Sequence, residues 1–294
     1  MQERYLNPFT DFGFKKLFGE EANKDLLIDF LNSLLYEKHK QKIKDLTFRK
    51  TEHLGSTELD RKAVFDLYCE DEIGQKFIVE LQKAEQRFFK DRTIYYSTFA
   101  IQEQAKRGDW SYELSPVYCI SILDFIFNKE EINKDKYLSY TRLMDEETKE
   151  VFYDKLLYVY IEIPKFSKTE KDLTNNIDKW LYFLKYLSKL DEIPSPLHTE
   201  MFIKAFEIAE ITNFTQEQRL AYEDSIKYYR DLKNVLDKSF DDGKQIGKIE
   251  GEIIGILKTQ KETVLNMNKL GMSLEIISQV TSLSIKKITE ILRE

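Results

Sequence analysis

Two carboxylates stand where a β-strand would not ordinarily keep them. Asp66 interrupts the apolar run Val64-Phe65-Asp66-Leu67-Tyr68, and Glu80 closes the run Phe77-Ile78-Val79. A carboxylate set among apolar strand residues is costly unless it is paired or coordinates a metal ion. The stretch from Asp60 to Glu85 reads as two strands, Ala63 to Cys69 and Lys76 to Leu81, joined by a turn at Glu70-Asp71-Glu72-Ile73-Gly74. Asp66 and Glu80 are equidistant from Ile73 and so fall opposite one another, with β-carbons about 5 Å apart. Gln82 lies two residues beyond Glu80 and shares its face. Asp66, Glu80 and Gln82 would then converge, with the Leu81 carbonyl between them. Two carboxylates, a carbonyl and water suit a hard divalent cation such as Mg²⁺. A plainer reading stays open, in which Asp66 takes a nearby Lys or Arg on an exposed sheet face.

The arrangement D-x(13)-E-x-Q at Asp66, Glu80 and Gln82 resembles the PD-(D/E)XK nuclease motif, with Gln where Lys is usual. The flanking text IVELQKAEQRFFKDRTIYYS resembles the transposase-like branch of that superfamily, the recombination-promoting nucleases. Matching segments recur at Asp11-Phe12-Gly13-Phe14-Lys15-Lys16-Leu17-Phe18, at Leu31-Asn32 and at Val117 to Phe125, so the resemblance spans most of residues 5 to 240. It implies a restriction-endonuclease-like α/β core, a mixed central sheet flanked by helices, and metal-dependent cleavage of DNA. Mg²⁺, with Mn²⁺ as a substitute, would be held by Asp66, Glu80, the Leu81 carbonyl and Asp11. Gln82 can orient a water but cannot carry positive charge. The resemblance puts a basic residue at Lys62, which could supply that charge and shares the Asp66 face if the strand reaches so far. Lys15, Lys16, Lys83, Arg87 and Arg92 are the candidates for contacts to DNA phosphates.

The elements that must position these residues follow from periodicity. A helix from Lys24 to about Glu37, capped by Asn23, turns Leu26, Leu27, Phe30, Leu31, Leu34 and Leu35 to one face. Three strands are expected between about 46 and 82. The next helix, Glu85 to Arg107, is basic and carries Tyr95, Tyr96 and Phe99. Pro116 to Phe127 is a near-continuous apolar run that suits a central strand covered on both faces. Further strands are expected at Tyr137 to Leu143 and Leu156 to Ile163. The basic run from Lys38 to Lys50 reads as a solvated loop or as a phosphate-contacting edge.

From Asp172 onward the pattern is helical, over Asp172 to Leu190, His198 to Ile211 and Gln216 to Lys238. Gly243, Gly247, Gly251 and Gly255 then recur every four residues, as a soluble helix pair or a flexible tether. Beyond Ser273, two short Ser-capped helices joined near Thr281 to Leu283 resemble a small helix-turn-helix. The expected segmentation is a nuclease-like domain at 1–240, a glycine-spaced linker at 241–272 and the tail at 273–294.

The chain has 294 residues, 42% hydrophobic and 33% charged, enough for one large domain or a domain with an appendage. Its net charge of -7 requires any nucleic-acid surface to be a local patch. Cys69 and Cys119 read as buried thiols of a reducing cytoplasm. No stretch has the length of a membrane span. The expected function is a Mg²⁺-dependent DNA endonuclease linked to recombination or mobile elements. Two rivals are a nuclease fold that binds DNA without cutting it and an interaction protein built on the glycine-spaced helix. DNA is the expected partner, with a possible homodimer through the C-terminal helices.

Overall fold

The computed structural model describes residues 3–35, 42–53, 63–105, 111–127 and 134–293. The chain divides into two compact units, Met1–Arg230 and Asp231–Glu294.

The first unit is organised on a six-stranded sheet of order β1-β4-β5-β6-β8-β7. The strands are β1 (Leu46–Phe48), β4 (Leu67–Asp71), β5 (Lys76–Gln82), β6 (Val117–Leu123), β7 (Leu138–Met144) and β8 (Val151–Glu162), while β2 (Glu52–His53) and β3 (Ala63–Val64) form a separate two-stranded pair. β5–β6 and β6–β8 are parallel, and the other pairs of the large sheet are antiparallel. All of β6 is buried, which explains its near-continuous apolar sequence: an inner parallel strand has no wet face.

Helices cover both sides. On one, α1 (Asp11–Phe18), α2 (Lys24–Leu35), α4 (Asn176–Tyr186) and α5 (Glu200–Ala209) pack with Phe77, Val79 and Leu81 into the larger core. On the other, α3 (Phe89–Gln102) closes a smaller core over Ile78, Cys119, Tyr158 and Tyr160. Odd-numbered residues of β5 therefore face α1 and even-numbered ones face α3. α6 (Gln216–Lys269) begins against the N-terminal segment: Tyr222 Oη accepts from the Asn7 amide at 2.9 Å and Ser225 Oγ from the Phe12 amide at 3.1 Å.

The turn between β4 and β5 follows from its residues. Asp71 Oδ1 accepts from the amides of Ile73 (3.1 Å) and Gln75 (2.8 Å), and Gly74 supplies φ +85°. It sets the register Leu67↔Val79 to Glu70↔Lys76, and Asp66, one residue before this ladder, meets Glu80 through its amide at 3.1 Å.

The strand expected from Ala63 to Cys69 breaks in two. β3 pairs with β2, the chain bends at Asp66, and β4 begins at Leu67. At the break a side chain takes over from the main-chain ladder, since Asp66 Oδ2 accepts from the Leu81 amide at 2.7 Å. α3 starts at Phe89, four residues later than the expected Glu85. β8 begins at Val151, earlier than expected, because its first half pairs with β7.

The glycine-spaced segment is no flexible tether, for α6 runs unbroken through Gly243 to Gly255. In the second unit α7 (Leu274–Thr281) and α8 (Ile285–Ile291) are capped by Ser273 and Ser284, which accept from Ile276 and Lys287. Val264, Met267, Ile277, Ile288 and Ile291 form its small core. Among the described residues no helix is long and apolar enough to cross a membrane.

Candidate active site

Asp66 and Glu80 meet where β4 begins and β5 nears its end. The Asp66 amide donates to Glu80 Oε1 at 3.1 Å, and the Leu81 amide donates to Asp66 Oδ2 at 2.7 Å. Each carboxylate is thus fixed by main chain belonging to the other's strand. Gln82 Nε2 donates to Glu80 Oε2 at 3.1 Å. Within a strand, one residue's N–H and C=O leave by the same edge. The Leu81 carbonyl therefore points to the side that holds Asp66, whereas the Gln82 carbonyl, which accepts from Asp124 at 2.9 Å, points to β6.

The three side chains do not share one face, in contrast to the expectation from strand alternation. Glu80 and Gln82 line a narrow pocket beneath α3 with Arg92, Thr93, Tyr96 and Ser121. Asp66 lines a wider cleft of about 520 Å³ with Asp11, Lys15, Lys16, Arg49 and Ser225. The reason is the bend: outside the ladder, Asp66 no longer obeys its two-residue period. The carboxylate pair sits at the boundary between the two spaces.

Neither Asp66 nor Glu80 has an ion-pair partner among the described residues. Burial, with the Asp66 charge adding to it, pushes the Glu80 carboxyl up to about 8. Burial also raises Asp66, helped by the negative charge of Asp11 and opposed by its bond from the Leu81 amide and by Lys15 and Lys83. Two half-buried carboxylates held together without a counter-ion form a site that a divalent cation would neutralise. The donor set is all oxygen, which suits Mg²⁺ or Mn²⁺ and does not suit zinc. Among the described residues no third His, Cys, Asp or Glu converges closely enough to complete a cluster. Asp11 stands on the cleft wall with its carboxylate engaged by Lys15 at 3.2 Å.

The predicted basic residues divide. Lys16 is held by Glu20 at 3.1 Å. Lys83 has no carboxylate within ion-pair distance among the described residues; its ammonium lies 5.6 Å from the Tyr228 ring. Burial lowers the Lys83 pKa, against the pull of Asp11 and Asp66. Arg92 stacks 5.5 Å over Tyr96 and hydrogen-bonds Gln86, and its charge opposes the rise of Glu80. Arg87 is next to the exposed Phe88 ring at 5.0 Å. Lys62 lies outside the described residues. Lys76 is no substitute, being bound to Glu70 and Glu103 at 2.9 Å each at the far end of the strand.

Sequence reasoning passed over the α6 contribution: Ser225 on the cleft wall, Tyr228 on Lys83, and Tyr229, whose hydroxyl donates to Asp124 Oδ2 at 2.7 Å. No local signal joins these residues to a hairpin more than a hundred positions earlier. Arg49 was legible only as part of the basic run 38–50, and Glu70 engages it at 2.9 Å.

Neither the curated proteins nor the solved structures contain a match to the chain. A family model does match: PD-(D/E)XK nuclease family transposase, over residues 8–239.

Proposed function

The chain belongs to the PD-(D/E)XK nuclease family transposases, and from that membership we propose that it is a metal-dependent DNA endonuclease that hydrolyses phosphodiester bonds. The observation that carries the reading is the reciprocal fixing of Asp66 and Glu80, through amides at 3.1 and 2.7 Å, with no counter-ion for either among the described residues. Nucleases of this family generally work with divalent metals.

Asp66, Glu80 and the Leu81 carbonyl would hold Mg²⁺, or Mn²⁺ in its place, with Asp11 as a further ligand on the cleft wall. Such a cation, when bound, lowers the pKa of its water and offsets charge that builds up on the phosphate. The remaining work falls to the chain's own residues. Gln82 keeps Glu80 oriented through its amide at 3.1 Å and can orient water, but it brings no charge. Arg92 supplies a cation on the Glu80 side, and Lys15, Lys16, Lys83 and Arg87 are offered to the phosphates of the bound strand. Lys62 is retained as a candidate cation. Recombination or mobile-element movement in the cytoplasm is the proposed setting. The proposed segmentation is 1–240, 241–272 and 273–294, with a homodimer through the C-terminal helices.

A plasmid-nicking assay with Mg²⁺ or Mn²⁺ tests the reading, comparing wild type with Asp66→Ala and Glu80→Ala. Metal-dependent nicking lost in both variants supports it. The second reading, a nuclease fold that binds DNA without cutting, is favoured by one observation: the Gln82 amide that replaces a lysine is already bound to Glu80. DNA binding with no cutting of supercoiled, linear or single-stranded DNA by wild type would select it.

A further inference from the structure

The loop from β5 to α3 ends on a residue that every local preference disfavours. Phe88 is the N-cap of α3, at φ +63° and ψ +32°, in the left-handed region that bulky side chains avoid. Caps are ordinarily Ser, Thr, Asp or Asn, and Phe88 makes no side-chain cap bond. The residue is 66% exposed, so burial does not offset either cost. A single exposed Phe is unremarkable by itself. One held outward in a strained conformation, at a helix start beside a catalytic pocket, points to use.

Its surroundings identify the use. The Arg92 amide donates to the Phe88 carbonyl at 3.0 Å, so Phe88 lies one helical turn from a residue that lines the Glu80 pocket. The Arg87 guanidinium lies over the ring at 5.0 Å from its centroid, while Lys90, in the first turn of α3, turns its ammonium to the Phe127 ring at 5.3 Å. An exposed ring with one cation, Arg87, over it offers its other π-face to a base and positive charge to an adjacent phosphate. A continuous duplex keeps its base faces stacked inside, so only an unpaired or frayed nucleotide has a face to give.

We propose that Phe88 is a stacking platform for an unpaired nucleobase, and that the enzyme prefers DNA with single-stranded or frayed nucleotides beside the scissile phosphate. The proposal rests on the nuclease reading and adds its substrate class.

The test uses the full chain in EDTA, which halts cutting. Fluorescence anisotropy compares a duplex with the same duplex bearing a single-stranded flap, with 2-aminopurine at the junction. Wild type should favour the flapped DNA and quench the 2-aminopurine. Phe88→Ala should weaken flap binding roughly 5- to 100-fold, the range for loss of one base–aromatic stack, with duplex affinity unchanged. Phe88→Trp should restore it. Phe88→Gly should lose the flap preference yet melt at a higher temperature, because glycine accepts φ +63° without strain; a residue kept for packing would melt lower. Equal binding of both DNAs by wild type, or a flap preference that survives in Phe88→Ala, overturns the platform while nicking by wild type leaves the nuclease reading intact. Absence of both binding and nicking overturns the two together.

Discussion

Asp66 and Glu80 hold each other through the main chain: the Asp66 amide bonds Glu80 Oε1 at 3.1 Å while Asp66 Oδ2 takes the Leu81 amide at 2.7 Å. Neither bond uses up the negative charge. The two carboxylates are pre-positioned, and burial with the Asp66 charge favours a proton on Glu80 that a bound cation would displace. The predictions below turn on that conflict between geometry and electrostatics.

Asp66→Asn keeps an oxygen for the Leu81 amide and removes the charge. It should therefore abolish nicking by about a hundredfold or more, since the cation's contribution is worth several kcal/mol. It should also raise the melting temperature at pH 8 by about 2–4 °C, corresponding to roughly 1 kcal/mol. Parallel nicking and calorimetry check this. A variant that is both inactive and less stable would make Asp66 a structural carboxylate.

Metal affinity should rise with pH. Burial and the Asp66 charge push the Glu80 carboxyl up to about 8 in the fold, against about 4.5 when unfolded. Its protonated form is thus favoured by folding, and that stability is complete below about 4.5 and lost as pH climbs to about 8. Cation binding needs the ionised form and expels the proton. Mn²⁺ titration calorimetry at pH 6.5, 7.5 and 8.5 should show affinity increasing up to about 8 and then levelling. A flat profile would mean that Glu80 is not a ligand.

Arg92→Gln should act twice. Losing its charge removes one influence that opposes the rise of Glu80, so the acid limb of the nicking rate should move to higher pH. If Arg92 also meets a phosphate, the slope of log K against log salt should fall by about 0.9 for B-DNA or 0.7 for a single strand. A pH profile identical to wild type would separate Arg92 from the site.

Gln82→Lys should place an ammonium within reach of Glu80 in place of the amide now at 3.1 Å. Glu80 would then ionise at lower pH and nicking at pH 7 should increase several-fold. Single-turnover rates decide the matter; a loss of rate would show that the pocket, narrow and shared with Arg92, has been built around the neutral side chain.

The second unit offers an independent check. Ser284 accepts from the Lys287 amide at the start of α8, and Ser284→Ala should cost about 1 kcal/mol. Circular dichroism melting of the full chain should register it while nicking by the first unit is unchanged.

The sequence by itself determined the hairpin and its register. Alternation on both sides of an acidic turn with Gly74 leaves only one pairing that buries Leu67, Cys69, Phe77 and Val79 together. It also determined the fully buried β6, the Ser caps of α7 and α8, and the pairing of Asp66 with Glu80, because each of these is written in neighbouring residues. Tertiary structure alone decided which space each carboxylate faces. The bend at Asp66 replaces a ladder bond by a side-chain bond to Leu81, a choice between competing acceptors that local pattern does not encode. It decided too that α6 brings Ser225 and Tyr228 to the site, since contacts across such chain separations depend on how the layers pack. And it decided that Phe88 is held outward at φ +63°, because a left-handed aromatic is what local preference would forbid and only the surrounding fold can enforce.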